Sequence, residues 1–195
     1  GGYGIFLLRA TNTVIEGNWV GIGTNGTNVV ANGPYLSSYG IYLGLDSVNT
    51  RVGGLTPASR NVVAGDYAAI YSQFSSSNFI WGNYLGLAPS GAIAVTNTQY
   101  GVSFNAGHAS FIGGTSAGAG NVIYGRQAGV SLSGTGTHHV AVQGNLINLD
   151  PSGNILVTTV LHGVSIVNSQ SNLIGGPVAA ARNVIFDSVA GIQFY

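Results

Sequence analysis

The chain has no cysteine and no methionine, and its five basic residues are all arginine, so it has no lysine. Charged residues make up 5% of the 195 positions, where roughly a quarter is usual. Five basic residues against five acidic ones give a net charge of zero. That excludes nucleic-acid binding, which needs a basic patch to neutralise phosphates, and it excludes a basic helix lying on a membrane surface. No apolar run reaches the ~18 residues of a spanning helix, so no membrane insertion is expected. Without cysteine there is no disulfide to place, and secretion remains compatible with the composition. The first residues show neither an initiator methionine nor a signal-peptide pattern, so the sequence reads as a mature or excised piece. What is present points to a folded chain: 45% apolar residues exclude a disordered segment. The 32 glycines, with many Asn, Ser and Thr, favour turns and strands over helices.

The residues that are there repeat. "GGLTPASRNVVAG" starts at 53, "GGTSAGAGNVIYG" at 113 and "GGPVAAARNVIFD" at 175. Three short phrases recur in fixed order along the whole chain. The first includes "GIFL" at 4, "GIYL" at 40, "GVSF" at 101 and "GIQF" at 191; the second includes "FIWG" at 79 and "FIGG" at 111; the third begins with Asn, as in "NVV" at 61 and "NVI" at 121 and 183. Each alternates apolar with small or polar residues at period two, which reads as β-strand. The spacing from second to third phrase runs 5, 11, 5, 11, 5, 11, and from third to the next first 21, 7, 17, 7, 17, 7. Two kinds of corner therefore alternate.

A fixed period of this kind marks a solenoid. The expected fold is all-β: a right-handed single-stranded parallel β-helix (β-solenoid) of about six coils with three strands each, roughly 30 Å tall at ~4.8 Å per strand. One domain spans 1–195, built of three two-coil repeats (about 4–68, 69–128 and 129–190) plus a final strand. Strand one points Ile5, Ile41, Ile70, Val102, Val130, Val164 and Ile192 inward. Strand two contributes Ile15, Val52, Ile80, Ile112, Val142 and Ile174, and strand three Val20, Val63, Leu85, Ile123, Ile147 and Ile185. Coils of this size bury their apolar faces only by stacking on neighbours. Asn18, Asn61, Asn83, Asn121, Asn145 and Asn183 occupy the same corner of all six coils, so they are expected to form a structural asparagine ladder that satisfies corner groups.

"GNYLGLAPSG" (82–91), "GNLINLDPSG" (144–153) and "GGPVAAARNVIFD" resemble the right-handed β-helix repeats of large bacterial secreted and surface proteins. In that family the phrases run roughly Gly-Asn-x-Ile-Gly-x-Asp-x-x-Gly and Gly-Gly-x6-Asn-Val-Ile-Ser-Gly-Asn. The likeness covers essentially the whole chain, with departures at Asp66, Arg126 and Ser188 in place of the last Asn and at Ala88 in place of Asp. It implies the fold and an extracellular or cell-surface location. It does not single out a function, because such scaffolds carry lyases, hydrolases, adhesins and stalks.

Polysaccharide-cleaving β-helices need paired carboxylates, or acids that hold Ca²⁺ beside a base. The acids here, Glu16, Asp46, Asp66, Asp150 and Asp187, scatter; Asp150 and Asp187 come nearest to a dyad and read as turn acids. No catalytic residue is assigned and no cofactor is expected. Arg51 with Glu16, and Arg126 with Asp150, read as cross-strand ion pairs; Arg60 and Arg182 share a corner where they would cap carbonyls. His108, His138 and His139 lie close enough to form an imidazole cluster, but a metal site wants a third or fourth convergent ligand, so none is assigned. His162 aligns with Tyr39 and Tyr100. The Thr11/Thr13, Thr96/Thr98 and Thr135/Thr137 pairs fall out of register, which excludes an ice-binding rank.

Outward aromatics are the candidate binding residues: Phe6, Tyr42 and Tyr71 on strand one, Trp81 on strand two, Trp19 and Tyr84 on strand three. They would stack on sugar rings or a partner, or simply on one another. The long corners 21–40, 86–101 and 148–163 emerge on one side, where binding loops usually sit. The function expected is a structural or adhesive extracellular solenoid segment, with carbohydrate binding or cleavage as the alternative. Its expected partners are itself, stacked end to end into a filament, or flanking coils, or a polysaccharide. Both ends are expected to present uncapped strand edges.

Overall fold

Alternating apolar and small residues, broken every few positions by Gly, Asn or Ser, give nineteen strands of two to six residues among the described residues. The computed structural model describes residues 2–26, 28, 30, 32, 38–65, 67–95, 98–157, 159–187 and 189–195. Asp66, Thr96, Ser188 and much of the corner 21–40 lie outside them. All sheet pairing is parallel, and three sheets stack as a β-solenoid of about six turns. There is no α-helix among the described residues; single 3-10 turns at Pro57–Ser59 and Ala179–Ala181 occupy two of the wide corners.

The first sheet runs Tyr3–Leu8, Tyr39–Gly44, Ala68–Gln73, Tyr100–Asn105, Ala128–Ser133, His162–Val167 and Ala190–Phe194. The second runs Val14–Ile15, Arg51–Gly53, Phe79–Trp81, Phe111–Gly113, Ala141–Gln143 and Leu173–Ile174. The third runs Trp19–Val20, Val62–Val63, Tyr84–Leu85, Val122–Ile123, Leu146–Ile147 and Val184–Ile185. The register matches the expected columns: Ile5, Ile41, Ile70, Val102, Val130, Val164 and Ile192 pair in succession. Ile80 pairs with Ile112, and Leu85 with Ile123, as their columns require.

The interior is wider than one residue per strand. Six-residue first strands turn two residues inward, so Leu7, Leu43, Ser72, Phe104, Leu132 and Ile166 form a second buried column. Ser72 is the polar member, and its hydroxyl pairs with that of Ser75 at 2.6 Å. A partial second polar row lies at the corner before strand two: Asn78 Oδ1 accepts from Thr50 N (2.9 Å), Ser110 Oγ from Asn78 N (3.0 Å), and Asn172 Oδ1 from Val140 N (3.0 Å).

The glycine at the second position of most first strands is dictated by packing across the coil. A Cβ on Gly40, Gly101, Gly129 or Gly163 would overlap a γ-methyl of Val63, Ile123, Ile147 or Ile185 in the same coil. In coil three the corresponding pair is Ala69 and Leu85, both fully buried. Leucine branches one carbon later, so its Cβ carries no methyl where alanine needs room.

The long corners fold over the outside of the third sheet. Each turns back on itself: Val95 N donates to Gly86 O (2.8 Å), Val30 N to Gly21 O (3.0 Å), and Leu149 bridges Ile155. They bring Leu87, Val160, Leu156 and Ile22 against the outward residues Val62, Tyr84, Val122 and Tyr124, giving a second apolar cluster outside the coil.

Candidate functional site

The asparagine corner is the most regular polar feature. Asn61 Oδ1 accepts from both the backbone N and the Nδ2 of Asn18, each at 3.0 Å. The same double acceptance repeats from Asn61 to Asn83, Asn83 to Asn121, Asn121 to Asn145 and Asn145 to Asn183, all at 2.9–3.1 Å. The other Nδ2 proton donates back to the strand-two core residue of the preceding coil, as from Asn121 to Ile80 O (2.8 Å) and from Asn145 to Ile112 O (2.9 Å). Each central amide thus satisfies groups in the coils above and below, and Asn61, Asn83, Asn121 and Asn145 are buried. These donors and acceptors are committed internally.

The six outward aromatics separate by environment. Tyr42 and Tyr71 are buried, at 9% and 8% exposure, within a stack that includes Tyr39, Tyr67 and Tyr100. Tyr39 lies 4.8 Å from Tyr71 and 5.5 Å from Tyr67, ring to ring, and Tyr42 donates from its hydroxyl to Gln73 Oε1 at 2.6 Å. Tyr84 is buried beneath the long corners, with the Arg60 guanidinium 4.0 Å from its ring centre. Their outward direction was legible, but the cover supplied by a corner tyrosine and by the long corners was not. Phe6 and Trp19 are about half exposed, and Trp81 is half-buried.

Burial pushes the Tyr39 phenol up to about 12 from an ordinary 10.0, and neighbouring phenols add to the effect. Burial likewise raises Tyr42, Tyr67, Tyr71 and Tyr100. A raised folded-state pKa contributes stability that is complete below the unfolded value and lost as pH rises through the folded one. In an alkaline titration followed by phenolate absorbance, part of the tyrosine signal should appear late, between pH 10 and about 12, together with falling stability. A single transition at pH 10 with no loss of stability would contradict the stack.

The charged residues form one ion pair among the described residues, Arg51 Nη2 to Glu16 Oε2 at 2.9 Å. Both side chains are partly exposed, so it contributes at most ~1 kcal/mol. Arg51 also donates to Gly53 O. Arg60 caps Gly82 O in the next coil (3.2 Å); Arg182 makes no such bond among the described residues, where Val184–Ile185 is the last strand of the third sheet. The expected Arg126–Asp150 pair is not formed. Asp150 turns into its own corner, where Oδ1 accepts from Ser152 N and Asn154 N (both 2.8 Å) and Oδ2 from Asn154 Nδ2 (3.0 Å). A carboxylate reaches such local donors at less entropic cost than a distant guanidinium. The Asn154 side chain and backbone hold the Asp150 carboxyl below its ordinary 3.8. A depressed acid stabilises its turn above the unfolded pKa and loses that contribution as pH falls through the folded one. The Ser152 and Asn154 amide resonances should therefore shift below pH 3.8 rather than at it; movement centred at 3.8 would show an unbonded carboxylate.

The histidines do meet. The His108 and His138 rings stack at 4.9 Å and 18°, and His138 Nδ1 lies 2.7 Å from His139 Nδ1. They form a stack and a hydrogen-bonded pair, not a convergent triad: among the described residues no group of three or more His, Asp or Glu is placed to hold a metal. His162 takes its expected place in the column with Tyr100, and its Nε2 lies 3.3 Å from the Tyr195 hydroxyl.

One open feature on the second sheet combines a candidate aromatic with two that sequence reasoning passed over. Phe79 and Phe111 stack in register at 5.4 Å and 4°, and Trp81 lies 4.9 Å from Phe79. With the corner that follows Gly113 they line a groove of about 200 Å³. Beyond Trp81, the leading phenylalanines of "FIWG" and "FIGG" were its sequence signal. No family model, no curated protein and no solved structure matches the chain. The ladder, the aromatic clusters and the groove therefore carry the functional argument.

Proposed function

We propose that the chain is a structural or adhesive solenoid segment of an extracellular or cell-surface protein, of the kind built from the right-handed β-helix repeats of large bacterial secreted and surface proteins. The observation that supports this most is the asparagine ladder, unbroken through six coils beside an apolar interior. Such a rod gains a similar increment with each added coil and suits the task of spacing or presenting. At the sixth coil Asn183 Nδ2 donates to Val142 O (2.7 Å), and its other proton has no partner among the described residues. Flanking coils, or a second copy stacked end to end, would supply the next acceptor, and end-to-end contact of copies generates filaments.

The purified chain, incubated with a polysaccharide panel with and without Ca²⁺, is expected to release no sugar ends. Turnover that disappears in an Asp150→Ala, Asp187→Ala double variant would overturn the structural reading. Light scattering and negative-stain microscopy test the stacking: rods in multiples of roughly 30 Å are expected from self-association, and a monomer at high concentration would remove it. A second reading, glycan binding without cleavage, is favoured by the aromatic groove on the second sheet.

A further inference from the structure

The groove has a floor and two walls set by register. Gly53 pairs with Trp81 in the outer row of the second sheet, and Gly113 pairs with Gln143 in the same row two strands further on. Between Trp81 and Gln143 the row holds only Gly113, which takes a left-handed φ of 77° and has no side chain, and the Trp81 indole leans across that segment, its Nε1 3.8 Å from where a Cβ on Gly114 would stand. The gap that remains is the groove of about 200 Å³, edged by Phe111, which is 42% exposed. In the row of Phe79 and Phe111 the next residue is Ala141, so no third aromatic covers the outer face of Phe111.

The polar atoms around this gap are unspent. Gln143 Nε2 donates to Gly175 O at 2.8 Å, which leaves its Oε1 as an acceptor with no partner among the described residues. Trp81 Nε1 and the hydroxyls of exposed Thr115 and Ser116, all on residues lining the groove, likewise have none there. No ionised side chain lines the groove. Aromatic faces for an apolar ring surface, with neutral donors and acceptors at the rim, suit a neutral polyhydroxylated ring. At about 200 Å³ the space falls below the ~300–1,000 Å³ of drug-sized pockets, enough for one residue of a chain that continues over the exposed face.

We infer that this groove is a subsite for a neutral pyranose unit of a polysaccharide. The inference rests on the glycan-binding reading and gives it a location and a substrate class. Trp19 and Trp81 are the only two tryptophans, so in a Trp19→Phe background the indole emission reports Trp81 alone. That protein is titrated with neutral hexasaccharides of β-1,4-glucose, β-1,4-mannose, β-1,4-xylose and β-1,3-glucose, and with a hexagalacturonate. A saturable emission change with at least one neutral hexasaccharide is expected. Affinity should weaken tenfold or more in Phe111→Ala and in Gln143→Leu and stay unchanged in Phe74→Ala, an exposed aromatic outside the groove, with circular dichroism and melting confirming that each variant is folded. Binding that persists in the folded Phe111→Ala and Gln143→Leu variants without an emission change would move the site elsewhere and leave the glycan reading intact. Binding of hexagalacturonate alone would overturn the neutral assignment. No binding of any oligosaccharide, by emission or by calorimetry, would overturn both.

Discussion

Asn121→Leu should lower stability by about 3–5 kcal/mol, read as a drop in the urea midpoint at unchanged m-value. The size follows from what one amide holds together. Asn121 Oδ1 accepts from Asn83 N (2.9 Å) and Asn83 Nδ2 (3.1 Å), while its own Nδ2 supplies Ile80 O (2.8 Å) and Asn145 Oδ1 (2.9 Å). Leucine leaves Asn83 N and one Asn83 amide proton unpaired in a site where Asn121 is 1% exposed, and takes from Ile80 O its side-chain donor while the parallel ladder to Phe111–Gly113 stays in place. Each buried orphan costs ~1–3 kcal/mol, and relaxation recovers part of the sum. Asn145 Oδ1 keeps its bond from Asn121 N (3.1 Å), which leucine still provides. The control is Asn18→Leu. Asn18 is half-buried at the ladder's first step, and Asn61 Oδ1 keeps the Asn18 backbone donor, so the loss should stay near ~1 kcal/mol. Equal effects at the two positions would mean that the ladder bonds are not the source of the cost.

Gly101→Ala should be nearly as damaging, at about 2–4 kcal/mol, although it adds a single methyl. That methyl would overlap Ile123 Cγ2 and meet the carbonyls of Gly129 and Tyr124, on strands held by parallel ladders on both sides. The backbone therefore cannot move away without breaking register. Coil three shows the compensated form, alanine at 69 with leucine at 85, both fully buried. The double variant Gly101→Ala, Ile123→Leu should accordingly recover at least half of the loss in a thermal or urea melt, a coupling that a double-mutant cycle measures directly. Additive losses would show that the carbonyls, not Ile123, set the cost.

Both predictions use a register that is legible in the sequence. The apolar phrases fall at spacings that differ only in the corners, and a parallel solenoid pairs each phrase with the next copy of itself. Local pattern and long-range contact thus coincide, which is why the columns through Ile70, Ile80 and Leu85 could be assigned residue by residue. The ladder was legible for the same reason. The outside of the coil was not, because nothing in a strand's alternation says what lies over its outer face. Tyr84 and Val62 point outward, yet the returning corners bury them. Tyr42 and Tyr71 point outward, yet tyrosines at 39, 67 and 100 close over them. Asp150 found donors two and four residues away before it could reach Arg126.

By itself, then, the sequence determined the solenoid, its coil count, the identity of the inward columns and the asparagine corner. These depend on period and spacing, and one-dimensional stacking turns period directly into contact. Tertiary structure alone decided which outward aromatics are covered, which arginine finds a carboxylate, and that Phe79, Trp81 and Phe111 border a gap over Gly113. Those outcomes depend on where the corners travel and on which neighbours in adjacent coils are small, and side-chain volume at a distance leaves no trace in local alternation.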